Sequence, residues 1–196
     1  ISDNKTNNET SSSIFSEDDS KDLTTQEAIA EQKRFSQFTD GIFMELVSES
    51  SLTVHSYFSY PENYNLTNCP YTLGDLSLEQ FNKDNQQLNG YLEEMDDYNY
   101  DLLTSSQKLT YDILKTDLTD SLKFKDYYLY SDCLSPLTGV PSSLPSSFSE
   151  FEFNDKEDVV DYIELIKLIP KYYDNIMEFE TKKANDGFGI QDFQID

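Results

Sequence analysis

The stretch NDKEDVVDYIELIKLIPKYYDNIMEFETKKANDG, residues 154–187, decides the fold class because it carries the longest helical pattern in the chain. Asn154 or Asp155 can cap the start of a helix, and acidic residues follow in the first turn, where the helix dipole favours negative charge. Pro170 predicts a kink or a break, and Gly187 predicts the end of the helix. Apolar residues recur every three or four positions, so we expect one buried helix face. Its members are Val159, Tyr162, Ile163, Ile166, Ile169, Tyr173, Ile176 and Met177.

Three earlier segments have the same periodicity and predict three more long helices. The first runs from about residue 25 to residue 48. The second begins at Ser77, with Gln80 three positions later, and the third begins at Thr104, with Gln107 three positions later. Each pair predicts a capping box, in which the two side chains bond free backbone N–H groups at the helix start.

The remaining sequence shows no convincing strand alternation and no internal repeat. Residues 131–149 contain three prolines, a glycine and several serines, which break any long helix and predict a structured loop or a linker. A second Pro-containing loop surrounds residue 70. The sequence therefore predicts an all-α fold, an antiparallel helical assembly of about four long helices with short helices and two Pro-containing loops. We assign residues 23–196 to a single helical domain and expect it to be the N-terminal part of a larger protein.

The first 22 residues are rich in Ser, Thr, Asn, Asp and Glu and contain few large apolar residues. This composition predicts that residues 1–22 are a disordered polar tether. The chain as given has no signal-peptide pattern and no apolar run that could span a membrane. A polar tether at the start of a mature chain favours an exported protein held at a cell surface, although a cytosolic protein cut at this point would look the same.

The chain has 38 acidic residues against 14 Lys and Arg, a formal net charge of −24. Proteins that bind nucleic acids or anionic membranes usually neutralise phosphate with clustered Lys and Arg. The charge therefore argues against nucleic acid and against an anionic membrane surface as partners. A solvated acidic surface is the simpler interpretation of the excess.

Residues that usually bind zinc are scarce, since His55 is the single histidine and Cys69 and Cys133 are the two cysteines. Structural zinc sites need four Cys or His ligands, and catalytic sites usually need at least two His. We therefore expect no metal site and no cofactor in this chain, and no serine motif indicates a nucleophile. His55 can be a proton donor or a substrate contact, or it can be a hydrogen-bonded histidine that serves packing.

Cys69 and Cys133 each lie beside a Pro-containing loop and not within a helical stripe. A disulfide between them would contribute about 3–4 kcal/mol to the stability of an exported protein. In a reducing cytosol both residues would be thiols. The sequence leaves both alternatives open.

Several phrases of the sequence carry a resemblance to a known family. They are PYTLGD at 70–75, QKLTYDIL at 107–114, LSPLTG at 134–139, KEDV at 156–159 and PKYY at 170–173. In this order and spacing, over roughly residues 31–196, the chain resembles the N-terminal region of the bacterial domain of unknown function 885 family.

That family resembles gluzincin-type zinc metallopeptidases, largely helical proteins whose His-Glu-x-x-His-like helix lies well downstream of this region. The resemblance implies a non-catalytic N-terminal region that frames the substrate cleft, with zinc expected in the parent protein and not in this chain. Its partners would be the remaining C-terminal part of the parent protein and a peptide substrate. Many surface-attached members have a lipidated Cys before such a tether, which implies an extracellular lipoprotein attached to a bacterial cell surface.

Within this resemblance the loop of residues 134–140 is the best candidate to face the cleft. The family commonly has a Gln shortly after the Gly, whereas this chain has Val-Pro-Ser at 140–142. A structural turn is the alternative role for Pro136 and Gly139. The candidate cleft residues are Leu134, Ser135, Pro136, Thr138, Gly139 and His55.

Two other hypotheses do not involve catalysis. The first is a self-contained helical surface lipoprotein that binds a peptide or protein partner. The second is an acidic adhesion module that depends on calcium. A metal-binding helix encoded beyond Asp196 would favour the peptidase over both.

Overall fold

The computed structural model describes residues 24–189, and this range contains six α-helices. Short 3₁₀ turns lie between several of them, and no β-strand occurs from residue 24 to residue 189. The prediction of an all-α fold is therefore confirmed. The predicted tether, residues 1–22, lies outside the described residues. The helices are α1 (Gln26–Ser48), α2 (Ser51–Tyr57), α3 (Leu78–Met95), α4 (Ser105–Leu122), α5 (Val140–Ser149) and α6 (Lys156–Asn185).

The capping side chains explain where the long helices begin. Thr104 and Gln107 form the predicted capping box at the start of α4. Asp155 and Asp158 form a second box at the start of α6, so Asp155 is the cap. Each box satisfies two backbone N–H groups that have no partner inside the helix. At α3 only one half of the predicted box forms, in which Ser77 accepts a hydrogen bond from the backbone.

The core of the N-terminal half lies between α1, α3 and α4. Phe35 of α1, Met95 of α3 and Leu118 of α4 are buried together. Tyr111 of α4 joins this core, and its hydroxyl donates a hydrogen bond of 3.2 Å to the carbonyl oxygen of Met95. The phenol can therefore be buried without leaving its polar group unbonded. Burying a large apolar side chain contributes about 1.5–3 kcal/mol, so these contacts hold α1 across the α3–α4 pair.

In the C-terminal half the other elements pack along α6. Leu165 of α6 is buried against Phe148 of α5 and Phe151 in the following segment. Ile176 and Phe179, farther along α6, form another buried cluster with the loop that precedes α5. The short helix α2 also contacts α6. α6 is therefore the element that joins α2, α5 and the loops.

The buried face of α6 is rotated from the predicted one. Leu165 and Phe179, which the predicted stripe left out, supply core contacts. The prediction was wrong for half of the stripe because α6 carries apolar residues on two neighbouring faces, and periodicity does not tell which face meets the rest of the chain. Four predicted members are between 40% and 63% exposed: Val159, Ile163, Ile166 and Met177.

Pro170 does not break α6, which runs from Lys156 to Asn185. Because proline has no N–H, the carbonyl of Ile166 receives no hydrogen bond from it. Both residues lie on an exposed face of the helix, where water can bond that carbonyl. The helix stops just before Gly187, as predicted: this residue has a φ of 88°, and the N–H of Phe188 closes the last turn on the carbonyl of Lys183.

Residues 140–149 form helix α5, where a loop or linker was predicted. Pro141 lies at the start of the helix, where its missing N–H removes no hydrogen bond. Pro145 lies inside this helix of ten residues without ending it. Residues 131–139 do form a loop, which closes where the N–H of Gly139 donates to the carbonyl of Ser135 at 2.9 Å.

Charged side chains recur along the exposed faces of the helices. Three ion pairs, at 120–123, 164–167 and 182–186, join neighbouring turns of α4 and α6 and contribute little to stability because both partners are hydrated. Among the helices between residues 24 and 189, none combines the length and apolarity needed to cross a membrane.

Replacing Gly139 with Ala should destabilise the protein by about 1–3 kcal/mol, since overpacking forces the backbone to move. A Cβ at this position would lie 2.5 Å from the backbone N and O of Ser135 and 2.7 Å from the carbonyl oxygen of Cys133. The free energy of unfolding in urea measures the change. Gly90→Ala in α3 is the matched control, because its Cβ would meet nothing within 4 Å and should stabilise by about 0.5–1 kcal/mol. Equal unfolding free energies for the two variants would contradict this account of the turn.

Candidate functional site

A cavity of about 510 Å³ opens between α2, residues 61–71 and the first turns of α6. Two hydrogen bonds hold the loop at its edge: the backbone N–H of Ser51 donates to the carbonyl of Pro70, and the Ser50 hydroxyl donates to the carbonyl of Thr72. The cavity contains the single histidine of the chain. A concave site with converging polar groups is the usual form of a ligand site, so we take it as the candidate functional site.

His55 lies in the wall of the cavity, and its side chain is only 7% exposed. Its Nε2 atom lies 3.0 Å from Oδ2 of Asp161 on α6. The imidazole also packs against Phe151, with 4.3 Å between the ring centroids. The hydrogen bond and the ring contact together fix the orientation of the imidazole.

Asp161 is the centre of the polar network. Besides His55, its carboxylate accepts hydrogen bonds from the hydroxyl of Ser51 at 3.2 Å and from the hydroxyl of Tyr71 at 2.7 Å. Ser51 belongs to α2 and Tyr71 to the loop after it, so one carboxylate joins both segments to α6. Hydrogen bonds to a charged acceptor contribute about 1.5–3 kcal/mol each, more than neutral ones do.

Asp158 lies one turn before Asp161 and has a second task. Its Oδ2 atom accepts hydrogen bonds from the backbone N–H groups of Asn154 and Asp155, at 2.6 and 3.0 Å, within the capping box. Its Oδ1 atom lies 3.7 Å from Nδ1 of His55, which is beyond hydrogen-bonding distance. The imidazole therefore lies between two carboxylates and is bonded to one of them.

The Asp161 carboxylate makes its neighbours weaker acids. The hydrogen bond to Asp161, assisted by burial, raises the pKa of Tyr71 to about 12, so this hydroxyl remains a donor at ordinary pH. Burial and the charge of Asp161 raise the pKa of the Cys69 thiol, which also lines the cavity. A thiol with a raised pKa is a poor nucleophile. Ser51 is buried and donates its hydroxyl to Asp161, so the arrangement favours binding over covalent chemistry.

The predicted cleft loop lies apart from this cavity. Leu134 packs with the cluster of Ile176 and Phe179 on α6. The Thr138 hydroxyl bonds the Ser135 hydroxyl, and the Pro136 carbonyl accepts from the side chain of Ser142, so the loop is bonded mainly to itself and to the start of α5. The structure therefore does not bring the loop together with His55. None of the predicted loop residues lines the cavity; they are Leu134, Ser135, Pro136, Thr138 and Gly139.

Cys69 and Cys133 are free thiols, so the disulfide alternative is not formed in this structure. Cys69 packs with the cluster of Val47, Val54 and Leu66. Cys133 packs against α6 in a different cluster, and burial raises the pKa of its thiol. The two cysteines thus pack in separate hydrophobic clusters.

Between residues 24 and 189, no three His, Cys, Asp or Glu side chains are grouped so that they could hold a metal ion. The carboxylates beside His55 are directed to backbone N–H groups, hydroxyls and the imidazole. Oδ2 of Asp158 and both carboxylate oxygens of Asp161 thus accept hydrogen bonds within the protein.

Sequence reasoning identified His55 but not its partners. Asp158 and Asp161 were explained by the helix dipole alone, and Tyr71 and Ser51 were not considered as site residues. His55 and Asp161 are 106 residues apart, and no local pattern connects them. The available signal was that three acidic residues, Glu157, Asp158 and Asp161, lie within the first two turns of α6.

The family model described as "Bacterial protein of unknown function (DUF885)" matches residues 65–196. The chain belongs to this family. The match is narrower than the range 31–196 expected from the resemblance. It includes Tyr71, Asp158 and Asp161 and begins after Ser51 and His55, so the DUF885 region supplies the loop and α6 sides of the cavity. No curated protein and no solved structure matches the chain.

Tyr71→Phe should change how the stability of this DUF885 protein depends on pH. A folded-state pKa of about 12, above the usual 10, stabilises the fold below pH 10, and this contribution is lost between pH 10 and pH 12. The variant should be less stable than wild type at pH 9, and the difference should close as the pH approaches 12. Urea unfolding at several pH values, with tyrosinate absorbance to follow titration, measures both effects.

The matched control is Tyr60→Phe, because Tyr60 is exposed and its hydroxyl has no hydrogen bond in the part of the chain that the structure describes. It should follow the wild-type pH dependence. Tyr91, whose pKa is also raised to about 12, remains in both variants and provides an internal reference. A Tyr71→Phe profile parallel to wild type would show that the Asp161 bond does not hold the loop.

Proposed function

We propose that this chain is a non-catalytic helical region of an exported zinc metallopeptidase, and that it frames the substrate cleft while a downstream segment holds the zinc. Membership of the DUF885 family supports this proposal together with the resemblance of that family to gluzincin-type peptidases. Residues 1–22 would then tether the domain to a bacterial cell surface, beneath a lipid anchor attached farther upstream. The remaining C-terminal part of the protein would be the main partner.

The exposed apolar face of α6 supports a role as one wall of a larger protein. Its exposed residues lie at 159, 163, 166, 170 and 177, and the partly buried Tyr173 completes a series whose spacings alternate between four and three. This is the spacing with which one helix packs along another. Exposed apolar surface of this extent usually marks a contact with another protein segment.

A groove between α5 and α6 continues this face. It measures about 290 Å³ and is lined by apolar side chains, among them Leu144 and Phe148 of α5 and Ile166 of α6. A helix from the downstream part of the protein would bury both the groove and the exposed stripe. Without such a helix, the large apolar side chains that line the groove would remain exposed to water, which is unfavourable.

The observation that carries the proposal is that cavity and apolar face begin in the same turn of α6. Val160 lines the cavity beside His55, and Val159 begins the apolar face. A segment packed on that face would therefore end beside the cavity and close it into a cleft. His55, Asp161 and Tyr71 would then position the substrate, while the chemistry takes place on the packed segment.

The product of the full reading frame tests the proposal. It should contain zinc by elemental analysis, hydrolyse a mixture of fluorogenic peptides, and lose this activity when zinc is chelated. In that protein the double variant Ile163→Glu/Ile166→Glu should lose most of the hydrolysis, because two carboxylates in a buried contact prevent packing. Both measurements use the same preparation.

Leu109→Glu/Ile113→Glu on α4 is the control pair. Leu109 and Ile113 are at least as exposed as Ile163 and Ile166 but lie on another helix, so the activity should remain unchanged. A full-length protein that contains no zinc and hydrolyses no peptide would refute the proposal that the protein is a peptidase. Equal losses of activity in the two double variants would refute a specific role for the exposed face of α6.

A second candidate function is a helical surface protein that binds a peptide without cleaving it. One observation favours it: every residue that lines the cavity lies within residues 51–161, so the site needs no further segment. The chain of residues 1–196 would then bind peptides by itself, and a screen of immobilised peptides would detect this. Binding by the full-length protein but not by residues 1–196 would favour the first function.

A further inference from the structure

The exposed face of α6 is nearly symmetric about its centre. Its apolar residues continue on both sides of Pro170, and Ile163 and Met177 lie at equal distances from it along the helix. Each half also has one charged residue on the same flank, Lys167 before the centre and Asp174 after it. A face of this kind can be complementary to itself, which is the condition for a symmetric pair of identical chains.

An antiparallel second copy of α6 would bring the two halves of this face together. In the register that overlaps the whole face, each apolar residue lies opposite another apolar residue, as in the layers of a coiled coil. The layers are Val159 with Met177 of the second copy, Ile163 with Tyr173, and Ile166 with Pro170, each repeated by the symmetry. Because four of these side chains are between 40% and 63% exposed in one copy, the pairing would remove a large apolar surface from water.

The charges on the open flank of the face favour the same register. Lys167 and Asp174 are one heptad apart on this flank, so in the antiparallel pair the lysine of each copy lies beside the aspartate of the other. The carboxylate of Asp174 forms no hydrogen bond or ion pair within residues 24–189. Lys167 pairs with Glu164 of its own helix, but both side chains are substantially exposed, so this pair contributes little and leaves the ammonium accessible.

The other flank of the face borders helix α5, in which all ten residues are uncharged. The groove between α5 and α6 is lined by apolar side chains. An antiparallel pair places like flanks together, so the charged flanks meet each other and each α5 lies beside its counterpart. On the α5 side the pairing therefore buries no charge, which would be unfavourable without a partner.

We infer that two copies of this chain pair through α6 in antiparallel orientation. The inference does not rest on the proposed function: the pair forms where no downstream helix covers the face, and the two occupants exclude each other. The net charge of −24 on each copy opposes the pairing. Charges farther apart than about 8 Å are largely screened at physiological salt, so this repulsion weakens the pair without preventing it.

Sedimentation equilibrium of residues 1–196 tests whether the pair forms. The average mass should rise from that of one copy toward that of two over about a hundredfold range of concentration. Ile163→Glu/Ile166→Glu should remain a monomer, because the pair would bury carboxylates without partners. Leu109→Glu/Ile113→Glu on α4, where the original side chains are at least as exposed, should pair as the wild type does.

Charge reversal tests the antiparallel register. Lys167→Asp and Asp174→Lys should each weaken the pair by about tenfold, since each variant replaces two attractions with two repulsions. An equimolar mixture of the two variants should pair within about threefold of wild type, because every such contact then joins an aspartate to a lysine. Asp120→Lys is the matched control: Asp120 is also an exposed acidic residue, but it lies on α4 and its reversal should leave the pairing unchanged.

A wild-type chain that remains a monomer at every concentration would overturn the inference. A mixture of the two reversed variants that pairs no better than its components would also overturn it, because the register would then be wrong. Helical circular dichroism equal to that of wild type shows that each monomeric variant has kept its fold.

The proposed function is measured separately, by zinc content and peptide hydrolysis in the full-length protein. Monomeric residues 1–196 together with zinc-dependent hydrolysis by the full-length protein would refute the inference alone. A full-length protein that pairs with the same charge dependence would support the inference and refute the downstream helix as the cover of this face.

Discussion

The hydrogen bonds of Asp161 are the contact on which the arrangement of the C-terminal half depends. One carboxylate on α6 meets the imidazole of His55, the hydroxyl of Ser51 and the hydroxyl of Tyr71. α2 has only seven residues, and Val54 packs it into the cluster of Val47 and Leu66, while the hydrogen bonds of Asp161 fix its position relative to α6. The cavity exists because this network holds α2 and its loop at a set distance from α6 while leaving space between them.

The two apolar faces of α6 have different roles. Leu165, Ile176 and Phe179 join the core and give the helix its place in the fold. Four residues of the neighbouring apolar face, Val159, Ile163, Ile166 and Met177, are instead exposed. A helix with one covered and one open apolar face is typical of an element shared between two parts of a structure. This division connects the fold to the proposed role as a wall beside a cleft.

Local signals in the sequence predicted much of the fold, because caps and periodicity act over a few residues. The cap at Thr104 and the end of α6 at Gly187 were found in this way. The orientation of α6 and the existence of α5 were not, since burial depends on contacts between distant segments and prolines are tolerated at a helix start. For the candidate site the sequence indicated His55 as a residue of interest. Its carboxylate partners could not be predicted, because only the folded chain brings α2 to the start of α6.

Asp158 belongs to the capping box of α6 and also lies beside the imidazole of His55. These two roles limit which substitutions the position can accept. A mutation at this position is pleiotropic: it frees the backbone N–H groups of Asn154 and Asp155 and alters the surroundings of His55 in one step. A substitution here therefore cannot change the lining of the cavity without also weakening the first turn of the longest helix. At the outer rim of the cavity, the exposed side chain of Glu62 has no such second role.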